Sequence, residues 1–515
     1  MASNGLLKSD VKSLEQKAKD YIKNCPSKLF IDGEWVDSVD GGTFETNDPR
    51  TGEPILEVAM ATPRDVDRAV AAARKAYDKG PWPRMSARER ARIMYKYADL
   101  LEEHLEELAI LETLDNGKTI TQSATSDIPE VIAHFRYFAG FADKIEGATI
   151  PVGAPGVTGQ GFTAYTLREP VGVVGQILPW NFPALMAAWK LAPALAAGCA
   201  VVLKVSQYTP VTGLLMARLA SEAGVPPGVI NLLTGRGSDI GDAISSHPGI
   251  DKVAFTGSTS VGKHLGATAM GHLKPVTLEL GGKSPVIVTR SADVKAAAKG
   301  ALEALFFNTG QACECGARAF VDAEIYDEFC EETRRLVEAR RVGDPLDPAT
   351  EMGPLISAKQ LDKVVELIES GKEQGAKVLA GGERIGDKGF YLQPTVFADV
   401  ADDMRIAEEE IFGPVHLISK YQTLEEAIER ANNTRYGLAA AVWTADIESM
   451  ELVTRSIQAG TVWVNTHHVL DAAVPFGGYK ESGIGREHGA NVLEHYTKTK
   501  AVYKPLPKGN PWQIM

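Results

Sequence analysis

The sequence predicts an α/β protein of two successive sheet-and-helix units, the first built on a parallel sheet. Three observations lead there. From Gly172 onward, short apolar runs alternate with helical stretches joined by short loops, which is how a parallel sheet covered by helices is written. A second α/β stretch follows from about Ser284 to Glu481. No internal repeat, low-complexity tract or long linker separates the two, so they are expected to pack closely around a cleft. At 515 residues the chain is long enough for two or three domains.

Taken in order, the first elements are helical. Thr62-Pro63-Arg64-Asp65 places a hydroxyl cap, a proline and an acid at a helix start, and Val66, Ala69, Val70 and Ala73 recur at helical spacing. Ser86 and Glu89 form a second capping box, followed by Ile93, Tyr97, Leu100, Leu101, Leu105 and Leu108 as one helical run. The strands of the alternation are Val173 to Leu178, Val201 to Lys204, Ile230 to Leu233, Val253 to Phe255 and Val276 to Leu280, with helices from Pro210 to Ala223 and Val261 to Met270. Ala184 to Leu203, the most apolar stretch, is broken by Lys190, Pro193 and Gly198; it reads as a buried helix, turn and strand rather than a membrane span. Further strands are expected near Val286, Phe320, Val396, Val442 and Val462. The tail from Tyr496 to Met515, with Pro505, Pro507 and Pro511, reads as extended. Such a tail is often tied down by a neighbouring strand or subunit.

Hydrophobic residues make up 44% and charged residues 23%, the balance of a soluble globular protein. A net charge of -13 argues against a nucleic-acid or acidic-membrane partner, because like charge repels phosphate. Cys25, Cys199, Cys313, Cys315 and Cys330 are too sparse for a disulfide framework, which points to a reducing compartment. Met1 to Lys23 has neither an arginine nor an apolar core of signal-peptide length. A cytoplasmic protein is the expectation.

Generic nucleotide signals fail. No G-x-G-x-x-G follows the first strand of the alternation, and Gly257-Ser-Thr-Ser-Val-Gly262-Lys263 is followed by His264 where a P-loop needs Ser or Thr. Ser258 nonetheless falls where a strand gives way to a helix, a place that can hold a pyrophosphate. Cys313 follows Gly310-Gln311-Ala312, a context of an exposed turn or helix start that favours thiolate. A small core residue is the ordinary alternative, and half of a metal site is a third reading that Cys25, Cys199 and Cys330 do not complete by spacing. Glu279 ends an apolar run before Leu280-Gly281-Gly282-Lys283. It is either a carboxylate satisfied by amides of the glycine turn or a general base with raised pKa. Asn181, between Pro179 and Pro183, is either a turn residue or a neutral donor to an oxyanion.

Six segments together carry a resemblance: Leu178-Pro-Trp-Asn-Phe-Pro183, Phe255-Thr-Gly-Ser258, Leu278-Glu-Leu-Gly-Gly-Lys283, Gly310-Gln-Ala-Cys313, Glu409-Glu-Ile-Phe-Gly-Pro414 and Pro475-Phe-Gly-Gly-Tyr-Lys480. In order and spacing they resemble the aldehyde dehydrogenase superfamily from Phe30 to Tyr503, most closely its hydrolytic, non-acylating branch. The resemblance implies a Rossmann-like NAD(P)-binding domain over 30–146 and 171–281 and an α/β catalytic domain over 282–482. A small β oligomerisation element over 147–170 and 483–515 would serve a homodimer or homotetramer. It implies oxidation of a small aldehyde to its acid with NAD or NADP, with no metal in the chemistry. Cys313 would form a thiohemiacetal and then a thioester, Asn181 would hold the oxyanion, and Glu279 would activate water. The cofactor would meet Ile177, Trp180, Lys204, Gly237, Ser258, Val261, Leu280, Gln360, Glu410 and Phe412, and a shorter pyrophosphate loop explains the missing fingerprint. A CoA-acylating dehydrogenase is the rival within the enzymes, and a retired structural or binding homologue the rival outside them. Glu279 stands against the first, and Cys313, Glu279 and Asn181 together stand against the second.

Three positions depart from the family pattern. Gln207 stands where many NAD-preferring members carry a glutamate that repels a 2′-phosphate, so NADP is expected to be accepted as well as NAD. Ala312 and Glu314 flank Cys313 on the substrate funnel; Glu314 either points to solvent, the favoured reading, or selects a cationic or hydroxylated aldehyde, and its charge disfavours thiolate. Asn465-Thr466-His467-His468-Val469-Leu470 brings two histidines to a funnel that is often apolar. With Phe182, Trp189, Leu470 and Phe476 the pocket still suits aliphatic or aromatic aldehydes of moderate size.

Overall fold

The alternation after Gly172 folds as a sheet in the computed structural model, which describes residues 6–152 and 161–506. Strands Val276–Glu279, Lys252–Thr256, Val173–Ile177, Ala200–Lys204 and Ile230–Leu233 lie side by side in that order, and every pairing among them is parallel. All their residues except Val276 are buried, which is why they read as unbroken apolar runs rather than an alternation. The chain winds outward from Val173–Ile177 in one direction and then returns to Lys252–Thr256 on its other side. The carboxyl ends of those two neighbours therefore flank a switch point, the place where such sheets leave a crevice for a ligand.

Two strands from the start of the chain, Leu29–Ile31 and Glu34–Val36, extend this sheet antiparallel beyond Ile230–Leu233. At the opposite edge Gly483–Ile484 pairs antiparallel with Leu278 and Glu279. These residues satisfy the open edge of the strand that carries Glu279 before the chain goes on to Thr497–Pro505. Capping boxes form at Thr62 and Ser86 as expected. The run after Ser86, however, is two helices, Ala87–Glu103 and Leu105–Asn116, broken at His104. The second is almost wholly buried, and the bend turns it into the core. Helix Pro183–Ala197 is buried along its whole length, with Lys190 paired to Glu487 inside the protein.

The second unit has seven strands in the order Lys377–Ala380, Thr395–Ala398, Val415–Tyr421, Arg318–Asp322, Pro285–Val288, Ala439–Trp443 and Thr461–Val464. All pairs are parallel except the first. Val415–Tyr421 and Lys377–Ala380 escape a reading of the sequence because buried His416 and Ser419 interrupt the apolar pattern of one and the other is half-exposed. A three-stranded antiparallel sheet joins Thr149–Val152, Phe162–Pro170 and Thr497–Pro505. The extended tail is thus held by a strand of its own chain as far as Pro505; Pro507, Pro511 and positions 153–160 of the bridging element lie outside the described residues. Among the described residues no helix is long and apolar enough to cross a membrane.

Candidate active site

A cavity of about 200 Å³ opens at the switch point. Trp180, Asn181 and Phe182 enter it from the loop after Val173–Ile177, and Thr256, Gly257 and Ser258 from the end of Lys252–Thr256. Leu280 and Gly281 follow the next strand, while Cys313, Glu314, Gln360, Glu410, Phe412 and Leu470 come from the second unit. The motifs that lie far apart in the chain thus converge on one space.

The loop bearing Cys313 is wound tightly. After helix Val294–Phe306, Asn308, Thr309 and Gly310 have φ of 47°, 58° and 73°. Left-handed backbone at a β-branched threonine is uncommon and costs on the order of 1–3 kcal/mol per residue, which the surroundings must hold in place. Thr309 Oγ1 donates to Gly353 O at 3.1 Å, Asn308 Nδ2 to Asn181 O at 2.7 Å, and Asn181 Nδ2 to Gln311 O at 2.9 Å. The Asn181 loop and the cysteine loop are therefore locked to each other. Gly281 and Gly282 have a steric purpose: side chains there would lie 2.5 Å from Glu410 Oε2 and 2.1 Å from Cys313 O.

Cys313 lies in a turn, one of the two settings expected for it, but it is half-buried and no helix begins at it. Neither full exposure nor a helix start is there to stabilise the thiolate. Burial first, and the charge of Glu314 next, push the thiol well above its usual range. Glu314 does not point to solvent either. Its carboxylate is buried, accepts from Cys313 Sγ at 3.2 Å and pairs with His468 Nδ1 at 3.1 Å. The partner that draws it inward is 154 residues away in sequence, which no local pattern reveals.

Glu279 is buried, but its carboxylate lies behind the cavity wall beside Gly477 rather than on it. The amides of the glycine turn do not serve it: Gly281 N–H goes to Thr259 and Gly282 N–H to Glu410. Oε2 has no partner, and burial, then the charge of Glu487, raise the carboxyl well above its usual range. Ala312 and Phe476, expected on the funnel, stay off its surface. Ala312 turns into the core, and Phe476 packs behind Trp189 with ring centres 5.3 Å apart. Phe182, Trp189 and Leu470 do line the cavity.

Of the expected cofactor residues, Glu410 accepts the Gly282 N–H at 2.8 Å, and burial raises its carboxyl. Gln360 Nε2 donates to Phe412 O at 2.7 Å, and the Trp180 and Phe412 rings meet edge-on at 5.3 Å. Ile177, Lys204, Gln207, Gly237 and Val261 lie off this cavity. Ile177 and Lys204 end neighbouring strands, Gly237 begins a helix and a side chain there would lie 3.7 Å from Lys204 Nζ, and Val261 is exposed on helix Thr259–Gly271. Gln207 lines an adjoining groove with Arg236 and Ser357. Burial lowers the Lys204 ammonium to about 8. Sequence reasoning missed Lys363, Glu130, Phe307 and Met186 on the cavity wall; Met186 and Phe307 read as core, and the charged pair lies on helices with no motif. Among the described residues no cluster of His, Cys, Asp or Glu could hold a metal ion.

The aldehyde dehydrogenase family model matches residues 35–502. Over 483 residues the chain is 53% identical to aldehyde dehydrogenase family 2 member B4, mitochondrial, of Arabidopsis thaliana, covering 94% of this chain and 89% of that protein. It is 50% identical over 501 residues to benzaldehyde dehydrogenase, mitochondrial, of Antirrhinum majus, covering 97% and 92%. The solved NAD+ complex of aldehyde dehydrogenase from Bacillus cereus superposes with a TM-score of 0.92 at 47% identity, covering 95% of this chain and 99% of that one. With five of its six motifs meeting at one switch-point cavity and the family model matched over residues 35–502, the chain belongs to the aldehyde dehydrogenase family.

Proposed function

We propose that this aldehyde dehydrogenase oxidises aliphatic or aromatic aldehydes of moderate size to their acids through a covalent intermediate on Cys313, with NAD or NADP. The observation that carries the reading is the half-buried thiol in one cavity with the Asn181 amide, aromatic walls and the Glu410 carboxylate. Cys313 Sγ adds to the aldehyde carbon to give a thiohemiacetal. Asn181 Nδ2 commits one hydrogen to Gln311 O and has a second for the substrate oxygen, beside the Cys313 N–H. Loss of hydride leaves a thioester, and water releases the acid with Glu279 as base. A raised carboxyl pKa is the property of a base that works near neutral pH. Transfer to CoA instead of water is disfavoured by the presence of this carboxylate.

The residues present fit a nicotinamide dinucleotide. Ser258 caps helix Thr259–Gly271 without a side-chain cap bond of its own, and Thr256 Oγ1 has no protein partner, so both can serve a ribose or pyrophosphate. Bound there, NAD(P)+ supplies the hydride acceptor. Lys204, Arg236 and Gln207 present cations and an amide where a 2′-phosphate can be received, which supports use of NADP. Units 30–146 with 171–281, and 282–482, are read as the cofactor and catalytic domains. The sheet of 147–170 with the tail is read as the contact of a homodimer or homotetramer. Five free thiols among the described residues suit a reducing compartment such as the cytoplasm.

The test is NAD(P)H formation, followed by near-ultraviolet absorbance, with aliphatic, aromatic and amino-aldehydes and each cofactor in turn. Activity that vanishes in Cys313→Ala is expected. Undiminished activity in that variant would remove the covalent reading.

A further inference from the structure

We propose that Glu314 is a further catalytic residue, the proton acceptor for Cys313 Sγ, held in place by His468; the proposal rests on Cys313 being the nucleophile. The three side chains form a continuous chain of hydrogen bonds. Cys313 Sγ donates to Glu314 Oε2 at 3.2 Å, Glu314 Oε1 meets His468 Nδ1 at 3.1 Å, and His468 Nε2 meets Ala304 O at 2.8 Å. A carbonyl oxygen only accepts, so His468 Nε2 carries a hydrogen. Neither a carboxylate oxygen nor a bare ring nitrogen can donate, so the Nδ1 to Oε1 contact holds one further proton. His467 Nε2 meets the Glu314 carbonyl at 3.0 Å and pins its backbone as well. The pair is shielded from water: the Glu314 and His468 side chains are 6% and 12% exposed, and Phe307 packs on the His468 ring at 4.5 Å.

Burial works to raise Glu314, but the hydrogen bond and charge of His468 outweigh it and hold the carboxyl below its usual range. Glu314 is therefore ionised and open to a proton, though a weaker base than a carboxylate of raised pKa; its role rests on its direct hydrogen bond with Sγ. Cys313, pushed up by burial and by Glu314, rests as a thiol. The charges of Glu410 and Glu279 also act on Cys313, that of Glu314 on Glu130, and that of His468 on His467. Among the described residues Glu314 is the one hydrogen-bonded to Sγ. The proton therefore moves as the substrate is attacked rather than before. The S–H bond breaks as the S–C bond forms, the proton passes to Glu314 Oε2, and the carbonyl π pair moves to the oxygen held by Asn181. Cys313 is neither oxidised nor reduced, and Glu314, which lines the cavity, later returns the proton to the water that enters it for hydrolysis of the thioester.

Glu314→Gln keeps the shape and removes the base. It is expected to lower kcat/KM about 100-fold, the low end for general-base catalysis, and to slow alkylation of Cys313 by iodoacetamide at neutral pH. The normal solvent deuterium isotope effect on that alkylation is expected to disappear. A carboxylate that acts only as a neighbouring charge predicts the reverse, because its removal frees thiolate and speeds alkylation. Faster or unchanged alkylation overturns the proposal. His468 acts through Glu314 as a positioning residue: His468→Leu is expected to lose the isotope effect, and His468→Gln, which keeps a donor, to retain it. An isotope effect unchanged in both is a second result that overturns the proposal, and it applies even if Glu314→Gln fails to fold by circular dichroism. Activity surviving in Cys313→Ala would instead sink the nucleophile reading itself.

Discussion

Glu279 shows at the residue scale how burial alone can set up chemistry. An acid at the end of an apolar strand is conspicuous in sequence, and the fold leaves one of its oxygens without a partner. If it is the base for thioester hydrolysis, Glu279→Gln should still transfer hydride once. Rapid mixing is then expected to show a burst approaching one NAD(P)H per active site, followed by turnover slowed by about 100-fold or more. A variant without a burst, slowed equally in every phase, would place Glu279 before the thioester. Gln207 makes a second prediction. The native enzyme should use NADP and NAD with kcat/KM values within about 100-fold, while Gln207→Glu, which puts a carboxylate near the 2′-phosphate, should shift the ratio toward NAD by about tenfold or more. A native preference for NAD of several thousandfold, measured with saturating aldehyde, would exclude dual use. The motifs single out Cys313, Glu279 and Asn181 in the sequence; the environment of Glu314 is not legible there, since it depends on His468.

At the scale of elements, the turn from Phe307 to Gly310 is the most demanding piece of backbone in the site. Its three left-handed residues aim Cys313 into the cavity, and Gly310 is needed because a side chain there would lie 2.2 Å from the Gly413 carbonyl. Gly310→Ala is expected to destabilise the protein by on the order of 3 kcal/mol, read from urea unfolding, and to reduce kcat because the nucleophile shifts. Stability within about 0.5 kcal/mol of the native value would show that the turn relaxes without strain. The elements themselves were largely readable: capping boxes at Thr62 and Ser86, and five buried strands ending where ligands bind. The break at His104 was hidden because Leu100, Leu101, Leu105 and Leu108 keep helical spacing straight through it. The strand Val415–Tyr421 was hidden because His416 and Ser419 are polar yet buried.

For the whole molecule, the three-stranded sheet leaves both outer strands, Thr149–Val152 and Thr497–Pro505, without a further neighbour in this chain. Ile150 and Tyr503 are exposed on it, at 46% and 65%. Open edges bearing apolar side chains invite another chain. We expect a dimer or tetramer by light scattering, and a smaller species when Ile150→Lys and Tyr503→Lys are combined. A monomeric native protein would remove the proposed oligomer contact.

The sequence by itself determined the five parallel strands of the first sheet, the helix caps at Thr62 and Ser86, the six motifs and the reaction class they carry, because caps, turns and apolar runs are local properties of the chain. Tertiary structure decided the rest: that Ala312 and Phe476 sit behind the cavity wall, that Glu279 lacks the glycine-turn amides, and that Glu314 is buried between Cys313 and His468. Each of these depends on residues far apart in sequence and on the exclusion of water, which gives a carboxylate its partner and its pKa only once the chain has closed around it.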